Sequence, residues 1–325
     1  MRAWVLTERG PALIEREPPA LRESDLLVRV RACALNRVDL AMAHGHVHGG
    51  AGGVGNVLGV EWAGEVVEVG AEAERTQGFR PGDRVMGSGA GAFAELTTID
   101  AARALAVPAS LRDEEAAALP VAVQTMHDAV VTQGQLQRGD TLFVQGASSG
   151  VGLMALQIGR LLGARLVAGS STRADKRARL REYGADLALD SRDPGWVDAL
   201  LAATDGKGVD LLVDQIAGPL VGPNMRATRI GGRIVNVGRL GGMRGEMDFD
   251  LHALRRISYV GVTFRTRARE ELRAVTERAR ADLTEPLAAG RLRLPVDRVF
   301  ALDELLEALA YMREDRHFGK IALRV

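Results

Sequence analysis

TLFVQGASSGVG, residues 141–152, is the stretch from which the rest of the chain can be read. Thr141 to Gln145 is a short apolar strand. Gly146, Ala147, Ser148, Ser149, Gly150, Val151 and Gly152 follow as a glycine-rich turn, and an apolar-periodic helix continues to Leu162. A glycine motif has meaning in this context of strand, turn and helix. Glycines let the backbone approach a pyrophosphate, and the helix N-terminus offers it unpaired N–H groups and a partial positive charge. Taken alone, the motif also suits a plain tight turn, so its surroundings must decide.

Downstream, strands are expected at Arg165–Ala168, Asp186–Leu189, Val209–Asp214, Arg233–Val237 and Tyr259–Phe264. Helical stretches separate most of them, including an Arg-rich one at Thr172–Tyr183. Strands alternating with helices predict an α/β unit with a doubly wound parallel sheet, and six strands complete a dinucleotide-binding fold. Upstream, the texture is β-rich. Leu26–Cys33, Gly64–Gly70, Asp83–Met86 and Phe93–Thr98 alternate like half-buried strands. HGHVHGGAGGVG, residues 44–55, is too glycine-rich to be expected in regular structure. The C-terminal region shows one helix, around Asp303–Met312, and a strand, Lys320–Arg324. That is too little for a domain of its own. The expected division is therefore 1–120 completed by 265–325, and 121–264 for the dinucleotide fold.

The second strand narrows the cofactor. NAD enzymes usually place Asp or Glu ~20 residues after the first glycine to hold the ribose 2′-hydroxyl. Here the chain reads Gly169-Ser170-Ser171-Thr172-Arg173, with Lys176 a turn later. Hydroxyls and cations suit a 2′-phosphate, so NADPH is expected, with Ser170, Ser171, Arg173 and Lys176 around it. The bland alternative makes Arg173 and Lys176 a solvated helix face, with Asp175 serving the helix end.

Composition excludes other classes. The 325 residues are 46% hydrophobic and 26% charged, with 42 basic and 42 acidic side chains. Zero net charge disfavours a general nucleic-acid binder. Cys33 is the one cysteine, so neither an internal disulfide nor a zinc site on paired cysteines can form. No signal peptide and no apolar run of membrane-spanning length is seen, so a cytoplasmic protein is expected.

Several segments together resemble the medium-chain dehydrogenases/reductases, specifically the zinc-free quinone-oxidoreductase branch related to zeta-crystallin. They are Asn36-Arg37-Val38-Asp39, Leu58-Gly59-Val60-Glu61-Trp62-Ala63-Gly64, Arg80-Pro81-Gly82-Asp83-Arg84-Val85, Gly91-Ala92-Phe93-Ala94-Glu95, the glycine turn, Gly231-Gly232-Arg233 and Gly319-Lys320. The resemblance runs over nearly the whole chain. It implies a GroES-like β-barrel catalytic domain beside the Rossmann domain, and a homodimer, for which the apolar strand Tyr259–Phe264 offers an edge. It also locates the catalytic zinc ligands of related alcohol dehydrogenases. Those positions are Asn36, Val60 and Val121 here, and no soft ligand remains.

Without a metal to polarise a simple ketone, the expected acceptor is a quinone or another conjugated carbonyl, which spreads the incoming charge itself. The resemblance makes Asn36 a candidate amide donor, with a loop-capping role as its bland alternative, and Asp39 a residue that orients Asn36 or the ribose. The resemblance also implies that Thr125 stands near the nicotinamide and that Val237-Gly238 lines the cofactor. His44, His46 and His48 read as a polar loop rather than a metal site, with His46 as a candidate proton donor or substrate contact. A reductase of enals, enones or enoyl thioesters is the alternative activity. A cofactor-binding protein without turnover is the alternative of another class. A short-chain dehydrogenase is excluded, because none of Tyr183, Tyr259 and Tyr311 has a lysine four residues on.

Overall fold

The strand Thr141–Val144 is wholly buried and hydrogen-bonds on both edges, to Leu166–Ser170 and to Val209–Asp214. Leu187–Leu189 extends the sheet on one side, and Thr228–Asn236 and then Ser258–Gly261 extend it on the other. Every pairing is parallel, and the spatial order, in chain numbering, is 3-2-1-4-5-6. That is the doubly wound order of a dinucleotide fold. The central strands carry apolar residues on both faces because helices cover both. Phe143 stacks on Trp196 at 5.3 Å within this core.

The computed structural model describes residues 1–325, and this sheet belongs to one of two compact units, Thr125–Thr263. The other unit is discontinuous, Met1–Gln124 with Phe264–Val325. Its main sheet has seven strands. Asp25–Ala34 is the long central one, paired antiparallel with Glu61–Val69, with Leu96–Asp100 and with Lys320–Arg324. Arg84–Ser88 and Leu105–Ala106 extend one side, and Val296–Ala301 extends the other. The core beneath includes Trp62, Phe93, Leu26 and Met42. The N-terminal hairpin, Arg2–Thr7 with Gly10–Glu15, is fastened by the Trp4 indole N–H, which donates to Leu302 O at 2.6 Å. No helix is long and apolar enough to cross a membrane.

Several expectations need correction. The strand expected at Phe93–Thr98 begins at Leu96, while Phe93 O accepts from Trp4 N. The expected edge strand Tyr259–Phe264 is Ser258–Gly261. The glycine-rich loop holds a miniature hairpin, Val47–His48 with Ala51–Gly52, and Gly49 at its tip has φ +62°. The largest element missed is the helix Arg269–Ala288. Its buried stripe is thin and mixed (Val275, Thr276, Ala279, Leu283, Pro286, Leu287), so its apolar period is faint. Arginines supply much of its anchoring. Arg269 and Arg273 bind Asp100, and Arg280 donates to Ala102 O and Ala104 O.

Candidate functional site

In the parallel-sheet unit, the glycine turn sits between the strand Thr141–Val144 and the helix Gly150–Leu161. Gly146 has φ +70°, which turns the chain sharply off the strand end. A Cβ on Gly152 would lie 2.7 Å from Ala147 Cα and from Gly146 O, so only glycine lets the helix start this close to the turn. Ser149 caps the helix by accepting from Gly152 N at 3.1 Å.

The turn is held from below. Ser170 Oγ accepts from Gly146 N at 3.1 Å and donates to Gln145 Oε1 at 2.5 Å. Gln215, at the end of the fourth strand, donates to Gln145 O and Gly146 O at 3.0 and 3.2 Å. Its Oε1 accepts from Ser149 Oγ at 3.0 Å. The carboxylate beside it, Asp214, is buried and accepts from the N–H groups of Ile216 and Ala217. Burial holds its pKa above the usual carboxylate range, against those hydrogen bonds. Val237 and Gly238 lie at the fifth strand's end, their N–H groups donating to Asp214 O. A Cβ on Gly238 would meet Gln215 O at 2.5 Å.

These bonds leave the backbone N–H groups of Ser148, Gly150 and Val151 without a protein acceptor. Three N–H groups at the start of a 12-residue helix form an anion cradle. At the second strand's end, Ser148 and Ser171 join hydroxyls at 3.0 Å. Arg173 forks onto Asp175, and Arg177 bridges Ser171 O and Asp190 at 2.8 and 2.9 Å. Arg192 reaches Asp190 and Thr172 O, and Lys176 is buried on the same helix. Four cations thus accompany two carboxylates. Ser170 is fully buried and spends its hydroxyl inside the protein, so it supports the turn from beneath. Thr125 lies in the helix Pro120–His127 and is buried.

In the other unit, Asn36 begins the short helix Arg37–Met42. Its backbone N–H donates to Asp39 Oδ2 at 2.6 Å, and Asp39 N donates to Asn36 O at 2.9 Å. The Asn36 side chain therefore does no capping. It is occupied instead by two buried ionic partners. Asn36 Nδ2 donates to Glu61 Oε1 at 2.7 Å, and Lys320 Nζ donates to Asn36 Oδ1 at 2.9 Å. Lys320 also pairs directly with Glu61, whose other oxygen accepts from Val121 N at 3.0 Å. Glu61 is fully buried and Lys320 nearly so. Such a pair persists because each charge meets the other and the remaining lone pairs are satisfied. Asp39 is buried, and its Oδ1 has no hydrogen-bond partner. Burial pushes its pKa up to about 7, while the Asn36 N–H and the Lys320 charge pull it down and Glu61 adds to the rise. His46 is exposed immediately before the miniature strand Val47–His48, and its backbone N–H donates to Ala41 O.

Sequence reasoning missed Gln215, Arg177, Arg192 and the ionic role of Glu61. Two signals were present: a lone carboxylate inside the apolar run LGVEWAG, and a lysine opening the apolar strand KIAL. Gln215 gives no comparable signal, since a glutamine after a strand is ordinary.

Two family models match the chain, an alcohol dehydrogenase GroES-like domain over residues 22–109 and a zinc-binding dehydrogenase over residues 150–281. The highly reducing polyketide synthase poxF of Penicillium oxalicum is 28% identical over 320 residues, 96% of this chain and 12% of that protein. The chain spans 6% to 13% of the length of such curated relatives. A crystal structure of an alcohol dehydrogenase superfamily protein from Novosphingobium aromaticivorans superposes with a TM-score of 0.88 at 29% identity, covering 100% of this chain and 99% of that one. The quinone oxidoreductase of Escherichia coli, solved with NADPH, shares the fold with a TM-score of 0.86 at 21% identity, over 100% of this chain and 99% of that one. No group of three His, Cys, Asp or Glu side chains stands close enough to hold a metal ion.

Proposed function

We propose, from the premise that this chain belongs to the medium-chain dehydrogenase/reductase superfamily, that it is a zinc-independent, NADPH-dependent reductase of quinones. The observation that carries the reading is the Asn36 amide, set on a buried Lys320–Glu61 pair where a metal-dependent relative needs a ligand. An amide can donate one hydrogen bond to an oxygen that gains charge, which suits an acceptor that delocalises the rest.

The cofactor, when bound, supplies a hydride to the acceptor. The chain's own residues do the remaining work. The free N–H groups of Ser148, Gly150 and Val151 hold the pyrophosphate, and Gln215 and Ser170 keep the turn in shape for it. Arg173 and Lys176, with Arg177 and Arg192 behind them, favour a 2′-phosphate over a bare ribose hydroxyl. Ser171 offers its hydroxyl there. Thr125, Val237 and Gly238 line the nicotinamide end. Asn36 donates to the acceptor oxygen, Asp39 fixes the Asn36 backbone through its 2.6 Å bond, and His46 supplies a proton from the loop.

A second reading, reduction of an enoyl thioester or another α,β-unsaturated carbonyl, is favoured by the reducing polyketide synthase among the relatives. Both acceptors place negative charge on a conjugated oxygen, so the same donor serves either. The parallel sheet ends at Ser258–Gly261, an edge on which a second copy can pair to form a homodimer. The lone, buried Cys33 accords with work in the reducing cytoplasm.

The test is NADPH consumption by chelator-treated protein with a 1,4-quinone, a 2-enal and an enoyl thioester in parallel, and NADH as control. Faster turnover of the quinone with NADPH supports the first reading. Preference for the enal or thioester supports the second, and loss of activity on chelation overturns both.

A further inference from the structure

An amide side chain can be turned over by half a rotation, exchanging its donor and acceptor ends, and its neighbours settle which way it stands. At Asn36 both neighbours have only one possible role. The Lys320 ammonium can only donate, so the atom 2.9 Å from it is Oδ1. Glu61 accepts through both oxygens, from Asn36 at 2.7 Å and from Val121 N at 3.0 Å, so the atom facing it is Nδ2. The reversed amide would set nitrogen against ammonium and oxygen against carboxylate, both in a buried site where like partners repel strongly.

One hydrogen of Nδ2 goes to Glu61. No protein group accepts the second, and Asn36 is only partly buried. Its carbonyl oxygen is already occupied by Lys320. Asn36 thus shows a ligand a donor, while the ammonium already on its oxygen repels a second donor at the remaining lone pair.

We propose that Lys320 and Glu61 are positioning residues that lock Asn36 as a donor-only contact for the acceptor's oxygen, and so select acceptors whose oxygen becomes an anion. This rests on the reading of Asn36 as the donor in the reductase. A bound nicotinamide would be oxidised as its C–H bond breaks and the hydride bonds to the acceptor, which is reduced and would carry the displaced electron pair on its oxygen. Asn36 keeps its own protons throughout, and the proton that completes the product comes from His46, as in the reading on which this rests. A preorganised donor of this kind contributes on the order of 100-fold to the rate.

The probe is 4-nitrophenolate, whose absorption moves to shorter wavelength when its oxygen accepts a hydrogen bond. It is titrated into the wild-type protein and into Asn36→Leu, Lys320→Met and Lys320→Arg. Leucine nearly matches asparagine in shape and leaves the Lys320–Glu61 pair intact. The bound phenolate is expected to absorb at longer wavelength in Asn36→Leu and Lys320→Met than in wild type, with Lys320→Arg restoring the wild-type position. In turnover, kcat should fall about 100-fold for Asn36→Leu and about 10-fold for Lys320→Met, with a smaller change in KM. Thermal melting checks each fold. If Lys320→Met does not fold, Glu61→Gln takes its place: its amide no longer fixes which end of Asn36 faces it, and the bound phenolate should again absorb at longer wavelength than in wild type.

The same absorption maximum in wild type and Asn36→Leu, or in wild type and Lys320→Met, overturns the proposal, as does failure of the wild-type protein to bind the phenolate. If the spectral pattern appears but no conjugated carbonyl is turned over, the donor-only site stands and the reductase reading falls.

Discussion

Gln215 Oε1 accepts the Ser149 hydroxyl at 3.0 Å, while its amide nitrogen holds two carbonyls of the glycine turn. A side chain from the fourth strand thereby fixes the residue that caps the helix. Gln215→Ala removes three hydrogen bonds and leaves buried carbonyls unpaired. NADPH should bind about 10-fold more weakly, the equivalent of roughly 1.4 kcal/mol. Fluorescence titration reads the affinity. Unchanged binding would mean that the turn keeps its shape without this prop.

Gly152→Ala puts a methyl 2.7 Å from two backbone atoms, a distance no relaxation of a flexible side chain can relieve. The helix start must shift away from the turn. Cofactor affinity should fall by more than 10-fold, with secondary structure by circular dichroism nearly intact. Wild-type affinity in this variant would show that the turn tolerates the displacement.

Arg173 is half-exposed and already forked onto Asp175, so its contribution to a bound phosphate is shared. Arg173→Ala should weaken NADPH binding about 5-fold and leave NADH binding unchanged. The difference between the two cofactors should shrink further as salt is raised. Equal losses for both nucleotides would assign Arg173 to the helix surface alone.

Asp39, with its pKa raised to about 7 by burial, ties stability to pH. The folded state holds this proton more tightly than the unfolded chain, whose Asp titrates near 3.9. The group's favourable contribution is complete below pH ~4 and is lost as pH rises through about 7, at up to about 1.4 kcal/mol per pH unit. Asp39→Asn keeps an oxygen for the Asn36 N–H and removes the titration. Denaturant unfolding between pH 4.5 and 7.5 (roughly the window between the two pKa values) should therefore slope downward less steeply in the variant. Parallel slopes would place the shifted proton elsewhere.

The dinucleotide fold was legible because its signals are local. Each strand is a short apolar run, and the glycine turn lies within seven residues, Gly146–Gly152. The capped helix start after the glycine turn was legible for the same reason, and it leaves N–H groups free. The second-strand cations were only partly legible. Arg173 and Lys176 sit beside the turn in sequence, whereas Arg192 arrives through the third strand and its link to Thr172 O is a tertiary fact. Asn36 was visible as a candidate, but its orientation depends on Lys320, 284 residues away. The helix Arg269–Ala288 was missed because arginine contacts to Asp100, Ala102 and Ala104 do work that an apolar stripe usually does. His46 shows the reverse. Its composition drew notice, yet its ring makes no hydrogen bond to the protein.

The strand Lys320–Arg324 pairs with Asp25–Ala34 across almost the whole chain, and Trp4 meets Leu302 at a separation of 298 residues. During synthesis, the ribosome releases the contiguous segment Thr125–Thr263 before the last partner of the first sheet exists. The nucleotide-binding half can therefore fold early, from neighbouring strands and helices. The half that carries Asn36 must wait, with one edge of Asp25–Ala34 open, for Lys320–Arg324 to emerge. Until then Glu61 lacks its partner Lys320. Arrival of Lys320–Arg324 joins Val296–Ala301 to the rest of the sheet and brings Lys320 to Glu61, so the sheet and the ion pair beside Asn36 are completed in the same event.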